Sequence, residues 1–332
     1  MDKAITGIHH VTAIASDAQK NLDFYTGPLG LRLVKITVNF DDPTSYHFYY
    51  GDRWGTPGTI LTFFAWTGAR RGQQGTGQAT SVALSIPESS LGFWLERLLK
   101  AGVAYQKPVR RFDEQVLTFR DHDGLMLELV AHQGAEKREG WAGGDVPAEH
   151  ALRGIHTVTL CLDGYEHTAK LLTETMKFRR VGEAGSIFRY AAGEGGSGAM
   201  VDLRCAPDFW SGVVASGTIH HIAWRTPNDE QQQAWHDEVA GVGLNVTPQL
   251  DRQYFRSIYF REPGGVLFEI ATDAPGFTAD ETEEELGTRL KLPPWIEPDR
   301  AYIESVLPPL RLPRQSGERA AATARGGKEA GE

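Results

Sequence analysis

The chain has 332 residues, of which 41% are hydrophobic and 23% are charged, and its formal net charge at pH 7 is −9. This length can build one large domain or two of ordinary size. The negative charge argues against nucleic acid as the main partner, because phosphate binding requires clustered Lys and Arg. Two cysteines are too few for a disulfide framework or a four-thiolate zinc site.

The N-terminus, MDKAITGIHH, has no apolar run of the kind found in signal peptides. No stretch of the chain approaches the ~18 apolar residues of a membrane span. We therefore expect a cytoplasmic protein that does not associate with membranes.

Four strand-like segments open a repeated pattern: GIHHVTAIA at Gly7, TSVALSI at Thr80, GIHTVTLCL at Gly154 and TIHHIAW at Thr218. Each is followed by a helical segment and then by strands that turn residues divide, as in FRDHDGLMLELVA and FREPGGVLFEIAT. The pattern predicts four βαβββ units at 7–66, 79–132, 153–205 and 218–272. A solenoid or propeller has a similar period, but one helix per unit and only four copies favour paired modules. In the first unit, Ser16 is the expected helix N-cap, and Gly27 or Gly30 the expected stop.

The predicted fold class is α+β, with the four βαβββ units paired into two open-barrel, cup-shaped β-sheet domains. An N-terminal domain at 1–135 holds the first two units and a C-terminal domain at 153–275 the last two. A polar, Gly-rich linker at 136–152 joins them. A Pro-rich extension at 276–314 is expected to pack on the body, with DETEEELGTRLKL as a short helix. The tail at 315–332 has no aromatic or β-branched apolar residue and is expected to be disordered.

Alignment of the units produces two columns that contain metal-capable residues. Alignment by the first strand gives the column His10, Ala83, Thr157 and His221. Alignment by the last strand gives the column Thr62, Glu128, Asp202 and Glu269. If units one and four face each other, His10, His221 and Glu269 converge. Two imidazoles and one carboxylate are the ligand set of a 2-His-1-carboxylate iron site.

A buried histidine more often belongs to the core than to a metal site, so a structural role stays open for these residues. Two histidine pairs at equivalent positions nevertheless favour a metal, because a buried Glu269 without a partner would be costly. By strand alternation, His9 and His220 point away from the ligands unless a bulge brings them back.

Units two and three carry Glu128 and Asp202 without the histidine partners. Pairing with a cation such as Arg204 is therefore favoured there over a second metal site. The motif HFYYGD could line a pocket, although core packing is the expectation for its aromatic residues. The chain has no phosphate-binding loop, and GEGGSG is typical of a turn rather than of a nucleotide fingerprint, so no nucleotide cofactor is expected.

Six motifs between about Thr6 and Asp273 carry a family resemblance: TGIHHVT, YHFYYGD, GTILTFF, GTIHHIAW, DRQYFRSIYFREPGG and LFEIATD. They resemble the vicinal-oxygen-chelate superfamily, which contains glyoxalase I and the extradiol dioxygenases, and within it the hydroquinone 1,2-dioxygenase (2,6-dichlorohydroquinone dioxygenase) branch. The resemblance implies Fe(II), with Mn(II) as an alternative ion, held by His10, His221 and Glu269. It also implies catalytic roles beside the metal for His9, Thr12, His220, Arg252 and Tyr259.

The expected activity is that of an oxidoreductase, a ring-cleaving dioxygenase that inserts both atoms of O₂ into a hydroquinone-type aromatic, chlorinated or otherwise substituted. Arg252 would stabilise developing negative charge, and Tyr259 and His220 would donate hydrogen bonds or transfer protons. Two alternatives stay open. A glyoxalase-type isomerase or lyase usually requires a fourth protein ligand, where Thr62 stands, and a non-catalytic small-molecule binder of the same superfamily requires no metal.

The expected partners are the small aromatic substrate and O₂, and neither nucleic acid nor a membrane. The oligomeric state is left open, with a homo-oligomer as one option.

Overall fold

The structure is a computed structural model and describes residues 3–313. The tail at 315–332, expected to be disordered, lies outside the described residues. Among the described helices, none combines the length and the hydropathy that crossing a bilayer requires. The cytoplasmic location stays a prediction.

The first half of the chain forms two of the predicted units. The first unit consists of β1 (Gly7–Ala15), α1 (Ala18–Thr26), β2 (Arg32–Asn39), β3 (Asp42–Gly51) and β4 (Ile60–Ala65). The second consists of β5 (Gln78–Pro87), α2 (Leu91–Lys100), β6 (Val109–Arg111), β7 (Glu114–Arg120) and β8 (Met126–His132). Helix α1 ends at Gly27 as expected, but its N-cap is Asp17, whose side chain accepts a hydrogen bond from the Lys20 amide. Ser16 is not the cap, because its hydroxyl donates to Asp123.

The second half repeats the same order of elements. The third unit consists of β9 (Ile155–Leu162), α3 (Glu166–Lys170) with a π-helical continuation (Leu171–Thr175), β10 (Arg179–Ala184), β11 (Ile187–Ala191) and β12 (Met200–Cys205). The fourth consists of β13 (Ile219–Thr226), α4 (Asp229–Gly241), β14 (Leu250–Asp251), β15 (Arg256–Arg261) and β16 (Leu267–Thr272). The predicted α+β class and the four βαβββ units are confirmed.

The strands form two eight-stranded sheets that curl into open half-barrels. The strand orders are β14-β15-β16-β13-β1-β4-β3-β2 and β10-β11-β12-β9-β5-β8-β7-β6. The first sheet joins units one and four through an antiparallel β1–β13 pair, and the second joins units two and three through β5–β9. Each half of the chain therefore contributes one unit to each sheet. The two sheets therefore do not correspond to the two halves of the chain on either side of the predicted linker at 136–152. The division into domains stays a prediction.

The central strands carry a bulge at the same place in every unit. In the β1–β13 pair the extra residues are His9 and His220, and in the β5–β9 pair they are Thr80 and His156. A bulged residue is released from strict alternation, so its side chain can turn toward the face of the residue that follows.

The strand register corrects one member of the sequence alignment. In the fourth unit, Glu269 of β16 pairs with Ala223 of β13, which lies two residues beyond His221. In the second unit, Glu128 pairs with Ala83, so the structural counterpart of the histidine is Ser81. The alignment that placed Ala83 there was wrong by two residues, because an apolar strand without a histidine offers no marker of its register.

The C-terminal extension packs on the first sheet, as expected. Its apolar residues form a cluster with Val38 of β2: Leu292, Ile296, Ile303 and Leu307. The helix of the extension is α5 (Arg300–Val306), which lies in the Pro-rich part.

The segment 280–292 forms turns, and the short helix expected there is wrong. Its first carboxylates, Asp280 and Glu281, pair with Lys35, a fully buried side chain of β2. This tertiary pairing holds the segment against the sheet and overrides its local helix propensity.

Candidate metal centre

Three buried side chains meet inside the first sheet: His10 of β1, His221 of β13 and Glu269 of β16. The two Nε2 atoms lie 3.3 Å apart. Glu269 Oε2 lies 3.3 Å from His10 Nε2 and 2.9 Å from His221 Nε2. The β1–β13 and β13–β16 pairings bring these residues together from both halves of the chain. The three atoms form a triangle of the size that the ligands of one ion form.

Only one oxygen of Glu269 is satisfied. Its Oε1 accepts a hydrogen bond from Ser257 Oγ, whereas Oε2 has no hydrogen-bond partner within residues 3–313. A fully buried carboxylate oxygen without a partner is costly. Because Oε2 is the atom that faces both Nε2 atoms, a cation between them would complete the set. The residues present therefore fit a divalent metal ion.

Burial and neighbouring charges set the protonation of the cluster. Burial alone would raise the pKa of Glu269, but the imidazoles of His10 and His221 hold it well below its ordinary value. Burial lowers the pKa of His221, and the nearby carboxylate offsets only part of this effect. At neutral pH the cluster therefore offers a carboxylate and a neutral His221 ring, which are the forms that bind metals.

His9 fixes the tautomer of His10. His9 Nε2 lies 3.1 Å from the Thr272 carbonyl oxygen, which can only accept, so Nε2 carries the proton. Burial and then the neighbouring His10 lower the pKa of His9 well below its ordinary value, so the ring is neutral and its Nδ1 accepts. His10 Nδ1 lies 2.9 Å from that atom and donates to it. The lone pair of His10 is thereby left on Nε2, facing Glu269.

The second bulge repeats this arrangement. His220 Nδ1 lies 2.8 Å from His221 Nδ1, and its ring stands edge-on to Phe64 and Trp66. Burial, together with the neighbouring His221, lowers the pKa of His220 to about 3. The bulges thus bring both His9 and His220 beside the candidate ligands, although alternation alone directs them away.

A chain of hydrogen bonds runs beside the cluster. Thr12 Oγ1 lies 2.9 Å from Thr62 Oγ1, which lies 2.8 Å from His47 Nε2. The other ring nitrogen of His47 lies 3.0 Å from the Tyr49 hydroxyl. The Thr62 hydroxyl, at the position where a fourth ligand was considered, is therefore already shared between Thr12 and His47.

Arg252 and Tyr259 line a pocket that also contains His10 and His221. The Arg252 guanidinium pairs with Asp41 at 3.0 Å and lies over the Tyr259 ring, 5.4 Å from its centroid. Burial and then the Glu269 charge raise the pKa of Tyr259 above its ordinary value, so the phenol keeps its proton. Further aromatic walls come from Phe40, Tyr49, Phe64 and Phe255. A pocket of aromatic rings with one guanidinium suits a planar, electron-rich or anionic ring.

The sequence did not single out Ser257, Asp41 or the Thr272 carbonyl as parts of the site, whereas His47 belongs to HFYYGD, the motif considered as a pocket lining. A signal existed for Ser257, because it precedes Tyr259 by two residues and so shares its strand face. The other two contacts depend on pairing between distant segments, which no local pattern reveals.

In the second sheet, Glu128 and Asp202 are paired with arginines, as the sequence favoured. The cations are Arg111 and Arg189, not Arg204. Arg189 lies on β11, next to the β12 strand of Asp202, and Arg111 lies on β6, two strands from the β8 strand of Glu128. The pairing is therefore set by the sheet and not by proximity in sequence.

Comparison with known proteins assigns the chain to a family. The Glyoxalase/Bleomycin resistance protein/Dioxygenase superfamily matches residues 7–129 and 154–270. The chain belongs to this superfamily. The membership predicted from the histidine and carboxylate motifs is confirmed.

Relatives within the superfamily match nearly the whole chain. MhqO of Bacillus subtilis (strain 168), which is named as a ring-cleaving dioxygenase, is 47% identical over 312 residues, covering 94% of this chain and 99% of that protein. The chlorohydroquinone/hydroquinone 1,2-dioxygenase of Sphingobium indicum is 35% identical over 303 residues, covering 90% and 94%. These names agree with the enzyme class predicted from the sequence, a ring-cleaving dioxygenase.

Solved structures of the superfamily share the architecture. The crystal structure of a Bacillus subtilis protein described as a dioxygenase matches with a TM-score of 0.88 and 46% identity, covering 95% of this chain and 100% of that one. Glyoxalase I from Zea mays matches with a TM-score of 0.60 and 14% identity, covering 82% and 93%, which shows a common fold alone.

Proposed function

We propose that this protein is an Fe(II)-dependent dioxygenase that opens a hydroquinone-type ring and inserts both atoms of O₂. The observation that carries the proposal is the buried Glu269 Oε2, which has no hydrogen-bond partner within residues 3–313 and lies beside His10 Nε2 and His221 Nε2. Two imidazoles and one carboxylate are the ligands of non-haem Fe(II) oxygenases. The name of the Sphingobium indicum relative supports the substrate class.

The metal would be held by His10, His221 and Glu269. When bound, Fe(II) would supply the redox and Lewis-acid chemistry that lets a phenolate substrate react with O₂. His9 keeps the His10 lone pair on Nε2 through its own bond to the Thr272 carbonyl. Ser257 holds the other oxygen of Glu269, so the carboxylate keeps one orientation.

The pocket residues act on the substrate. The Arg252 guanidinium favours the phenolate form and offsets negative charge that develops as the ring opens. Tyr259 keeps its proton and donates a hydrogen bond to an oxygen at the reacting end of the ring. The aromatic walls hold the ring in one plane and exclude water. The second hydroxyl group of a hydroquinone, para to the first, would lie remote from the metal.

The geometry favours this reaction over its alternatives. A glyoxalase-type isomerase usually requires a fourth protein ligand, and the Thr62 hydroxyl is shared between Thr12 and His47. A non-catalytic binder would leave the unpaired oxygen of Glu269 unexplained. Mn(II) remains the alternative ion, because its preference for oxygen and imidazole ligands overlaps that of Fe(II).

Oxygen uptake tests the proposal. The protein is freed of metal, loaded anaerobically with Fe(II) or Mn(II), and given hydroquinone, chlorohydroquinone or catechol in an oxygen electrode. We expect one O₂ consumed per ring, the highest kcat/KM for the hydroquinones, and no turnover in metal-free protein. A Glu230→Ala variant, altered at an exposed position of α4, is the control for handling. Substrate conversion without O₂ would refute the dioxygenase, and preference for catechol would refute the substrate class.

A further inference from the structure

A network of charged side chains fills the interior of the second sheet. Arg111 Nη2 lies 2.6 Å from Glu128 Oε2, and Arg189 Nε lies 2.7 Å from Asp202 Oδ1. Arg189 also donates through Nη1 to Glu114 Oε2, at 2.8 Å. Two guanidinium groups thus face three carboxylates. The network therefore has one formal negative charge in excess, and an excess negative charge in a partly buried network favours a further positive partner.

Two histidines stand beside Glu114, which begins β7. His156, in the bulge of β9, places Nε2 at 2.9 Å from Glu114 Oε1. His132 ends β8, and its ring centroid lies 4.4 Å from that of His156. One ligand atom from each of the three residues lies within 4.8 Å of the other two. His156 is fully buried, whereas His132 and Glu114 are half-buried, so an ion can reach the cluster from solvent.

In each of these three side chains, one of the two polar atoms has a hydrogen-bond partner outside the cluster. Arg189 holds Glu114 Oε2, and Ser197 Oγ lies 3.1 Å from His156 Nδ1. His132 Nδ1 lies 2.9 Å from the Gln133 carbonyl oxygen, which can only accept, so the lone pair of a neutral His132 ring is on Nε2. Partners of this kind orient metal ligands in proteins. The remaining atom of each side chain is held only within the cluster or by Ser85: His156 Nε2 donates to Glu114 Oε1, and Ser85 Oγ lies 2.8 Å from His132 Nε2. A bound ion would replace these bonds.

Protonation of His156 does not supply the missing positive charge. Burial lowers the pKa of His156, and the neighbouring Glu114 offsets only part of the effect. The same Glu114 has its pKa lowered to about 2, against the effect of burial, by His156 and Arg189. At neutral pH Glu114 is therefore a carboxylate and the His156 ring is neutral.

We propose that Glu114, His132 and His156 form a second metal site that binds a divalent ion of the zinc type. Two imidazole nitrogens and one carboxylate oxygen are ligands that Zn²⁺ takes in tetrahedral sites, with a water or the Ser85 hydroxyl in the fourth position. Ser85 Oγ lies 2.8 Å from His132 Nε2. The ion would tie β7 and β8 to β9 and so link the two halves of the chain. The site is independent of the Glu269 centre and of the reaction proposed there.

Zinc stoichiometry tests the second site in a background that lacks the first. The full chain carrying Glu269→Ala is stripped with a chelator and dialysed against micromolar Zn²⁺, and bound zinc is measured by mass spectrometry. We expect one zinc per chain. A further His156→Ala or His132→Ala replacement is expected to weaken binding at least tenfold. A further His236→Ala replacement, at a partly exposed histidine of α4, is expected to leave binding unchanged.

Circular dichroism shows whether each variant is folded, and His132, being half-buried, is the position where replacement disturbs the core least. Absence of zinc from the folded Glu269→Ala protein would overturn the second site. Zinc bound equally well in the folded His132→Ala and His156→Ala variants would also overturn it. Neither result depends on whether the Glu269 centre holds iron or supports ring opening.

Discussion

Tyr259 and Glu269 face each other across the antiparallel β15–β16 pair. Directly opposed residues project to the same side of a sheet, so the phenol and the carboxylate share one face. The Tyr259 ring stands edge-on to His221, with ring centroids 5.7 Å apart. The proposed hydrogen-bond donor, Tyr259, is therefore carried on the strand next to a candidate metal ligand, and the sheet fixes the distance between them.

Replacement of Tyr259 by Phe tests its role as a donor. The variant keeps the ring and its packing but loses the hydroxyl, so we expect iron binding to be unchanged and kcat to fall about 10²-fold. Steady-state kinetics at saturating Fe(II) measures this effect. Tyr302→Phe, at an exposed tyrosine of α5, is the matched control and should keep full activity. A Tyr259→Phe enzyme as fast as the unmodified protein would contradict the role.

Removal of any one of the three candidate ligands tests the metal centre. His10→Ala, His221→Ala and Glu269→Ala each delete one of three atoms that converge within 3.3 Å. We expect each variant to lose bound iron and activity. Iron analysis after dialysis, with oxygen uptake on the same samples, measures both losses. Retained iron with full activity in any of the three would exclude that residue as a ligand.

Replacement of His9 is expected to weaken iron binding at the same centre without removing a ligand. His9→Ala removes the acceptor that keeps the proton of His10 on Nδ1, so we expect iron affinity to fall about 10- to 100-fold. At saturating Fe(II), most of kcat should return, because the ligands themselves are intact. The control is His236→Ala, at a partly exposed histidine of α4, which should leave iron affinity at the Glu269 centre unchanged. Equal losses in the two variants would point to a general structural effect instead.

Two buried histidines outside the candidate iron ligands predict a loss of stability in acid. Burial lowers the pKa of His47 well below its ordinary value, and burial lowers that of His156 against the opposing effect of Glu114. Below about pH 6.5 the unfolded chain therefore binds protons that the native protein does not. The free energy of unfolding should fall as the pH drops, by up to about 1.4 kcal/mol per pH unit for each such histidine.

Urea denaturation at pH 7, 6 and 5 measures this dependence. The His47→Gln variant should lose stability less steeply, by about one proton, whereas the His236→Ala control should follow the unmodified protein. Equal free energies of unfolding at pH 7 and pH 5 in the unmodified protein would show that these rings are not held neutral by burial.

The repeated units could be predicted from local periodicity, and His10, His221 and Glu269 could be chosen as candidates because they recur at matching positions of those units. Strand alternation and turn residues recur four times, and the histidine pairs mark the same position in two of the units. The fold follows from these patterns, since each strand must bury one face and the units must pair to do so.

The features that were not predicted depend on contacts between residues that are distant in the sequence. Alternation assigned His9 and His220 to the wrong face, and only the bulges in the paired strands bring them beside their neighbours. Which units share a sheet depends on contacts between residues more than 200 positions apart, such as His10 and His221. Likewise, 280–292 is held in turns by the buried Lys35, which a local pattern does not contain.

Anomalous diffraction from crystals loaded anaerobically with Fe(II) tests the central claim most directly. The claim is that side chains from β1, β13 and β16 hold one iron while leaving it open to substrate. We predict a peak at the iron edge within about 2.3 Å of His10 Nε2, His221 Nε2 and Glu269 Oε2, and its loss in Glu269→Ala crystals. A peak elsewhere, or none at these three atoms, would contradict the account.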